Sequence, residues 1–450
     1  MSIEYRLPLT KTLAPANAAD LAAAVRAAYA EKTAVYPLGG GTALDYGAEP
    51  TQPGVGLSLE KIDRLVDYRP DDMTVTVEAG MTFAAISKIL MKRRQHIAID
   101  VARPDRTTVG GAAAVNPLGP RQFSCGTLRD YVLGFTAVDG QGTLFSGGGS
   151  VLKNAAGYNM GRLITGSLGT LGIVTQLTLM VRPVPEMSAL AACDLADLET
   201  AERLIAELMQ SPISPAAVEL SLGPGRRENP VLVSMPQPTS AGPSAGANRP
   251  VRLIVGLEGP RAAVQWMLDA LRDMWLSSGT ASPMTVTNAW AKSLWDWLSD
   301  FPAQVQIAVC PSAVTKIIAA LTSLDPDCTI QAHAGSGILR AAFSEEQISR
   351  SGPLPAAANA DAQGAPRSSG DGKRDLEAES AFASFLRGKL RPMVEKCGGT
   401  LTVLSSPQGS RLTCRDVWGP KGDGFAMMQS IKDRFDPAGI LNPGRFIFDK

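Results

Sequence analysis

Histidine is rare in this chain: His96 and His333 are the only two among 450 residues. That scarcity excludes a metal centre built from several imidazoles. Six cysteines are present, but they are scattered and no CxxC pair occurs. Their spacing argues against structural zinc or iron–sulfur ligation by this chain, and we interpret them as reduced thiols of a cytosolic protein. The sequence therefore predicts no metal site.

Net charge, long apolar runs and a leader-like N-terminus are also missing. Lys and Arg together number 43, as do Asp and Glu, so no basic field favours nucleic acid or anionic lipid. No stretch of 18 apolar residues occurs, which predicts no membrane helix. Residues 1–8 lack a basic region leading into an apolar run, so no signal peptide is predicted. We expect a cytoplasmic protein that reaches a membrane only through a partner.

Glycine is abundant, at 44 residues, and one glycine-rich loop is the strongest indication of function in the chain. The segment Pro37-Leu38-Gly39-Gly40-Gly41-Thr42 directly follows the apolar run 33–36. Three consecutive glycines let backbone N–H groups converge on an anion, and the Thr42 hydroxyl extends the row. The pattern indicates a diphosphate cradle and hence a nucleotide cofactor. For the loop taken alone, an ordinary tight turn is the alternative.

Apolar periodicity predicts regular elements in the first 182 residues. The stretch 107–127 is rich in Gly, Ala, Pro and Thr and shows few helix or strand signals. We expect an irregular, functional segment there. The predicted elements are helices over 16–31 and 82–94, a half-buried strand over 73–79, and strands over 132–138, 143–145 and 172–182.

The middle of the chain differs in texture. Pro183 and Pro185 mark a domain edge, and helices then alternate with strands, which predicts an antiparallel sheet with helices on one face. The runs 235–250 and 351–375 are of low complexity, and we interpret them as disordered insertions. The predicted elements are helices over 195–209, 261–275 and 312–321 and strands over 218–222, 231–234, 252–257 and 304–309.

Further motifs follow the glycine loop in a fixed order: Thr107–Ala112, Asn116 and Gly119, Gly126–Asp130, Gly166–Val174 and Asp436–Arg445. Together they resemble the flavin-binding fold shared by vanillyl-alcohol oxidase and para-cresol methylhydroxylase. The resemblance implies FAD as the cofactor and an α+β fold. Its parts would be an FAD-binding domain of two α+β subdomains over 1–184, an α+β cap domain over 185–433, and a tail over 434–450 that returns to the first domain.

The same resemblance implies which residues hold the FAD. Gly110 and Gly111 would let the backbone approach the flavin and its ribityl chain closely, and Gly169 and Gly172 would do so beside the adenosine. The implied cofactor-binding residues are Pro37, Leu38, Gly39, Gly40, Gly41, Thr42, Thr108, Val109, Gly110, Gly111, Asn116, Gly126, Thr127, Gly172, Ile173, Val174 and Asn442.

One segment narrows the match. Residues 151–159 are similar to the Lys-Asn-x-Ala-Gly-Tyr-Asp segment of the smaller FAD-binding subunit of bacterial glycolate oxidase, with Asn159 in place of Asp. This likeness implies two partners, a larger FAD-containing catalytic subunit and an iron–sulfur subunit. It also implies a small 2-hydroxy acid as the substrate.

The chain departs from its relatives at two places that bear on chemistry. Oxidases of this fold often tether FAD to a His in the diphosphate loop, where Gly41 and Thr42 stand here, so we expect non-covalent FAD. Related dehydrogenases carry a motif like His-x-Gly-Asp-Gly-Asn-x-His. Of its polar residues only the first His is present here, as His333, while Ser336, Ile338 and Arg340 replace the Asp, the Asn and the second His. His333 is a weak catalytic candidate, for which a structural role is the alternative. Arg340 is a second weak candidate, able to meet a carboxylate.

Three hypotheses follow from these observations. The first is a FAD-binding subunit of a glycolate oxidase-like complex, which relays electrons or supports a catalytic flavin subunit. The second is a self-sufficient FAD-dependent dehydrogenase for D-2-hydroxy acids or alditols. The third is a scaffold subunit of this fold without FAD.

Overall fold

The strands of the computed structural model form four sheets. They have three, two, eight and five strands within the described residues, which are 7–149, 158–223, 251–279, 285–287, 301–344, 346, 348, 380–407 and 409–447. The strands are β1 Leu9–Leu13, β2 Ala34–Leu38, β3 Gly54–Ser58, β4 Leu65–Arg69, β5 Thr74–Glu78, β6 Gln95–His96, β7 Val132–Val138, β8 Leu144–Gly148, β9 Ile173–Met180, β10 Arg182–Pro183, β11 Met187–Leu195, β12 Ala217–Leu222, β13 Val251–Gly259, β14 Thr285–Thr287, β15 Ala303–Ala308, β16 Thr329–His333, β17 Ile338–Phe343 and β18 Thr400–Ser405.

Helices cover the sheets and connect them. The 3₁₀ turn Pro311–Ala313 leads directly into a helix, and the π-helical turn Leu386–Leu390 joins two others without a break. The α-helices are α1 Ala18–Glu31, α2 Phe83–Met91, α3 Val109–Val115, α4 Gln122–Cys125, α5 Leu128–Tyr131, α6 Met160–Ile164, α7 Leu198–Gln210, α8 Arg261–Ser277, α9 Val314–Leu324, α10 Ala381–Phe385, α11 Arg391–Lys396, α12 Cys414–Trp418 and α13 Phe425–Phe435.

The N-terminal part folds as its sequence pattern predicts, with helix α1 leading into strand β2 and the glycine loop. Asn17 caps α1 by accepting a hydrogen bond from the backbone N–H of Asp20 at 2.9 Å. Leu21 and Val25 are fully buried on its inner face. In the three-stranded sheet β1-β3-β2, parallel pairing brings β2 beside β3. The outer side of β2 is then free to receive another segment.

The C-terminal tail supplies that segment. Val35 donates its N–H to the Ile440 carbonyl at 2.8 Å, and Asn442 donates its own N–H to the Val35 carbonyl at 2.9 Å. The bridge between Val35 and Leu441 is parallel, and Leu441 is fully buried in the N-terminal core. The last described residues are therefore packed beside the strand that leads into the glycine loop.

Strand β5 corrects one sequence expectation. The alternating pattern predicts a half-buried strand, yet all five of its residues are buried. The polar side chains are accommodated by partners: the hydroxyls of Thr76 and Thr178 lie 3.0 Å apart, and the Glu78 carboxylate meets Arg64 at 2.8 Å. Burial on both faces is possible because these polar groups are hydrogen-bonded.

The expectation of an irregular segment over 107–127 is also corrected, since part of this stretch is helical. Helix α3 occupies Val109–Val115 and α4 occupies Gln122–Cys125. Thr108 caps α3, accepting a hydrogen bond from Gly111 N–H at 3.2 Å. Glycine has poor helix propensity, so two glycines hide this helix from a sequence-based prediction. A tertiary contact explains the glycine at position 110, because a Cβ there would lie 2.7 Å from the Ala79 Cβ.

The second large core lies under the eight-stranded sheet, ordered β14-β11-β13-β12-β16-β17-β15-β18. Its described pairings are all antiparallel, as the sequence predicts. Val264, Leu268 and Leu271 of α8 and Ile317 of α9 pack in this core. We call this eight-stranded sheet, together with the helices that lie within residues 187–405, the cap layer.

Some predictions fall outside the described residues: the strand over 231–234, the segment 151–157 and the two low-complexity runs. Among the residues that the structure does describe, no helix has the length and apolar character needed to cross a membrane.

Candidate functional site

A cleft runs between the glycine loop, helix α3, the 166–174 segment and the cap layer. It consists of three adjoining cavities of about 80, 90 and 530 Å³, which we call the inner, middle and wide cavities. The inner and middle cavities share Pro37, Gly39 and Asn442 among their lining residues. The middle and wide cavities share Gly41 and Thr42. The three therefore form one continuous path past the glycine loop.

The glycine loop lines all three cavities, and contacts behind it explain its composition. A Cβ on Gly39 would lie 2.5 Å from the Thr108 hydroxyl, and one on Gly40 would overlap the Arg106 carbonyl oxygen. Gly41 has a φ of +70°, which disfavours other residues. The Arg106 guanidinium also donates to the Gly40 carbonyl at 3.1 Å. The loop is thus pressed against 106–108, with its other side facing the cleft.

The second wall is made of small residues on α3. Gly111 and Thr108 line both the inner and the middle cavity, and Gly110 lines the inner one. Small side chains at this position keep the cleft open down to the helix backbone.

The third wall is the segment 166–174, which takes an unusual backbone course. Leu168 has a φ of +53° and Gly169 a φ of +69°, so two successive residues are left-handed. A non-glycine residue pays a steric cost in that region. The Asn442 side chain donates to the Leu168 carbonyl at 2.6 Å and stabilises the turn. Gly172, Ile173 and Val174 complete the wall of the inner cavity.

The wide cavity lies between the N-terminal residues and the cap layer. Among the described residues its charged lining is Arg103, Arg129 and Arg340 against Asp45. The excess of arginine gives the cavity a positive potential that favours anions. Because strand β17 pairs with both neighbours, Arg340 stands directly beside Gln306 of β15 and Gln331 of β16. Gln306 lines the cavity with it.

Arg340 is half-buried as a residue, and its guanidinium Nε is shielded from solvent. Burial lowers the pKa of its guanidinium to about 9, and the nearby Tyr46 phenol opposes that shift. The pKa of Tyr46 itself is raised to about 12, chiefly by burial. A buried cation at the wall of a cavity favours entry of an anion, because the anion restores part of the lost solvation.

A second buried arginine holds two residues that line the wide cavity, Leu44 and Tyr46. The Arg445 guanidinium donates to the carbonyls of Leu44 at 2.6 Å and Tyr46 at 2.7 Å. Burial lowers its pKa to about 10. Arg445 therefore fixes the residues that follow the glycine loop, although it comes from the other end of the chain.

Most residues implied by the sequence resemblance do meet in the cleft. Asn116 lines the wide cavity with its backbone left-handed, at a φ of +52°. The residues that line at least one of the three cavities are Pro37, Gly39, Gly40, Gly41, Thr42, Thr108, Gly110, Gly111, Asn116, Gly172, Ile173, Val174, Asn442 and Arg340.

Five others, Leu38, Val109, Gly126, Thr127 and His333, line none of these cavities. Leu38 and Val109 are buried in the protein cores. Thr127 caps helix α5 in a reciprocal pair with Asp130, and a Cβ on Gly126 would meet that same carboxylate. Gly126 and Thr127 thus occupy a helix-capping position outside the three cavities, and their role in FAD binding stays a prediction.

His333 is placed inside the cap layer. Its Nδ1 lies 2.6 and 2.7 Å from the two carboxylate oxygens of Glu219, and both residues are 1% exposed. Gln331 donates to the same carboxylate at 3.0 Å. The catalytic role predicted for His333 gains no support from this position. Glu219 was not anticipated, although a lone Glu in the apolar run 217–222 was the available signal.

Comparison with known proteins agrees with the geometry. Residues 10–148 match the family described as FAD binding domain, and residues 419–446 match FAD linked oxidases, C-terminal domain. The chain is 23% identical to glycolate oxidase subunit GlcD of Bacillus subtilis over 98% of its own length and 90% of that protein. It is 33% identical to glycolate oxidase subunit GlcE of Escherichia coli over 33% of its own length and 43% of that protein.

Other relatives match over shorter stretches, and solved structures share the fold. The chain spans less than half the length of the D-2-hydroxyglutarate and D-lactate dehydrogenases that it resembles. A VAO-type flavoprotein of Myceliophthora thermophila superposes with a TM-score of 0.62 at 14% identity, over 96% of this chain and 78% of that one. The chain is therefore an FAD-dependent oxidoreductase that carries the FAD binding domain over residues 10–148, has FAD as its cofactor and shares its fold with VAO-type flavoproteins.

Proposed function

We propose that this chain is the FAD-binding subunit of a glycolate oxidase-like complex that oxidises 2-hydroxy acids to 2-oxo acids. Its role is to relay electrons or to support a larger catalytic flavin subunit, with an iron–sulfur subunit as the further partner. The complex would be cytoplasmic, reaching the inner face of a membrane only through a partner. The observation that carries the proposal is the wide cavity, which holds cations for a carboxylate but no imidazole.

The FAD fits the cleft in shape and chemistry. The cleft is long and narrow where the glycines stand and widens beside the cap layer. Gly39, Gly40 and Gly41 would hold the diphosphate, and the apolar inner cavity with Ile173 would take the adenosine. When bound, FAD supplies the acceptor for the hydride equivalent that leaves the hydroxyl-bearing carbon.

Arg340 is proposed to bind the substrate carboxylate. A guanidinium presents paired donors that match the two oxygens of a carboxylate, and burial strengthens the attraction by excluding water. Gln306 stands beside it in register and adds an amide at the same wall. These groups bind and orient an acid but do not accept its hydroxyl proton.

An imidazole to act as general base is what the cavity lacks, and Asp45 is the carboxylate among its described lining residues. His96 and His333 are the only histidines, and neither lines the wide cavity. Burial lowers the pKa of His96 to about 4, with the charges of Arg121 and Arg182 adding to the shift. General-base catalysis needs a group within hydrogen-bond reach of the proton. This absence supports a relay or supporting role, with proton abstraction left to the partner subunit.

A self-sufficient dehydrogenase is the second candidate. It is favoured by the continuity of the wide cavity with the proposed FAD cleft, which would let a bound acid reach the flavin without a partner. The third hypothesis, a scaffold without FAD, is not retained, because FAD is the family's cofactor.

The test is an anaerobic spectrum of the purified chain mixed with glycolate, D-lactate and D-2-hydroxyglutarate. We expect the flavin to stay oxidised with each acid and to be reduced once the larger flavin subunit is added. Flavin reduction by the lone chain at turnover-competent rates would establish the second candidate instead. Titration with dithionite serves as the control that the bound flavin can accept electrons.

We further predict that the FAD is held without a covalent bond. No His or Cys lines the three cavities among the described residues, so the usual tethering side chains are remote. Acid precipitation of the yellow protein should leave the flavin in the supernatant. Flavin that stays with the pellet after washing would contradict the prediction.

A further inference from the structure

Lys432 is a buried lysine that lines none of the three cavities, and its ammonium has three partners. Its Nζ donates to the Asp436 carboxylate at 2.5 Å, to the Thr170 carbonyl at 2.8 Å and to the Leu441 carbonyl at 3.2 Å. Lys432 is 6% exposed and Asp436 is 1% exposed. A lysine has three N–H donors, so this set satisfies the whole ammonium group.

These partners belong to two segments far apart in the chain. Asp436 and Leu441 lie in the tail, where the Asp436 carboxylate also accepts the N–H groups of Ile440 at 3.0 Å and Leu441 at 2.8 Å. Thr170 lines none of the cavities but stands in sequence between Gly169 and Gly172, which line the inner one. Lys432 therefore ties the tail to the inner cavity.

The wall that Lys432 holds is a strained one. Leu168 and Gly169 are both left-handed, and Leu168 is a residue for which that conformation is costly. The turn is held at both ends by the tail: Asn442 binds the Leu168 carbonyl, and Lys432 binds the Thr170 carbonyl two residues later. A strained turn persists only where its surroundings over-determine it.

We propose that Lys432, together with Asp436, positions the 167–170 turn in the form that retains FAD, so that tail docking and FAD binding are coupled. The inference rests on the placement of FAD in this cleft proposed above. Lys432 does not line the cavities and acts through the turn. Coupling of this kind is reciprocal: FAD stabilises the docked tail as much as the docked tail stabilises bound FAD.

The variant test measures FAD affinity of the apoprotein by flavin fluorescence quenching. Lys432→Met is expected to raise the Kd for FAD about tenfold or more. The matched control is Arg434→Met, which removes an exposed cation from the same helical turn and should leave the Kd unchanged. A purely structural lysine would lower the unfolding temperature of the apoprotein and leave the Kd at the wild-type value, which would overturn the proposal.

Gly40→Ala separates this inference from the placement of the cofactor. If Gly40→Ala loses FAD while Lys432→Met binds it normally, FAD does occupy the cleft but the role proposed for Lys432 is wrong. If Gly40→Ala also binds FAD normally, FAD does not bind at the glycine loop, and the role proposed for Lys432 is wrong as well.

A second measurement needs no variant and decides the matter even if Lys432→Met does not fold. Hydrogen exchange of the wild-type Asn442 amide reports directly on tail docking, because its N–H is bonded to the Val35 carbonyl of strand β2. The amides of Ile440 and Leu441 are bonded to Asp436 within the tail and report on the turn that Lys432 contacts. We expect exchange at these amides to slow about tenfold or more when FAD saturates the apoprotein. Equal rates with and without FAD would refute the coupling.

Discussion

Replacing Gly40 by alanine is expected to abolish FAD retention. A Cβ at this position would overlap the Arg106 carbonyl oxygen, which is backbone and has no side-chain freedom to yield. The loop would have to move into the cleft that it lines. Overpacking of this kind costs roughly 3 kcal/mol, equivalent to about a hundredfold weaker binding. The ratio of flavin absorbance to protein absorbance after gel filtration measures the loss.

Gly422→Ala is the matched control for this experiment. Gly422 is exposed, and a Cβ there would meet no atom within 4 Å. That variant should keep the wild-type flavin content. A Gly40→Ala protein that purifies with full flavin would show that the glycine loop does not form the diphosphate site.

Replacing Arg340 by methionine should remove most of the affinity for carboxylate ligands. Methionine keeps much of the apolar stem and loses the paired donors. Charge-assisted hydrogen bonds to a desolvated carboxylate contribute roughly 3 kcal/mol, so the Kd should rise about a hundredfold. Oxalate, which resembles a 2-hydroxy acid but is not oxidised by hydride loss, is a suitable probe, and the perturbation of the flavin spectrum measures its binding.

The pH dependence of oxalate binding gives an independent check on Arg340. Burial lowers the pKa of this guanidinium from its ordinary value toward about 9, so the cation is present at neutral pH and its loss is expected only at alkaline pH. The Kd for oxalate should therefore be flat between pH 7 and 8 and rise as pH passes about 9. Arg340→Met should remove that rise, whereas Arg340→Lys should keep a cation and bind with intermediate affinity.

Arg272→Met provides the control for charge alone, since Arg272 is an exposed cation of helix α8 paired with Asp269. It should bind oxalate as the wild type does. Equal oxalate affinity in the wild type and Arg340→Met would place the carboxylate site elsewhere in the wide cavity, with Arg103 and Arg129 as the remaining cations.

The local pattern of the sequence predicts those elements whose stability is local. Helix α1 follows from its Asn17 cap and its apolar stripe, and β9 follows from the alternation over 173–180. Helix α3 could not be predicted this way, because two of its seven residues are glycines and its support comes from Ala79. The sequence predicts β5 to be half-buried because Thr76 finds its partner, Thr178, across the sheet only in the folded chain.

The residues of the candidate site also divide into those that a local motif marks and those that only the tertiary structure brings together. The glycine loop was recognisable because a single continuous segment forms it, and its neighbours Thr108 and Gly111 come from one further motif. Gly126 and Thr127 share the motif order but serve as a helix cap, which order alone does not reveal. Tyr46, Gln306 and Lys432 were not anticipated at all, since no motif marks them.

The sequence by itself determined a nucleotide-binding loop and, through its resemblance to the flavin-binding fold, the expected cofactor and fold class. It also determined that no second histidine stands in the segment 333–340, because each of these signals lies in contiguous residues. Only the tertiary structure decided that Arg340 faces a cavity shared with Tyr46 and that His333 is instead enclosed with Glu219. It alone showed that Lys432 reaches Thr170 across 262 residues. The physical reason is that local pattern specifies which face of an element is buried, whereas the pairing of strands and the docking of the tail specify what that face meets.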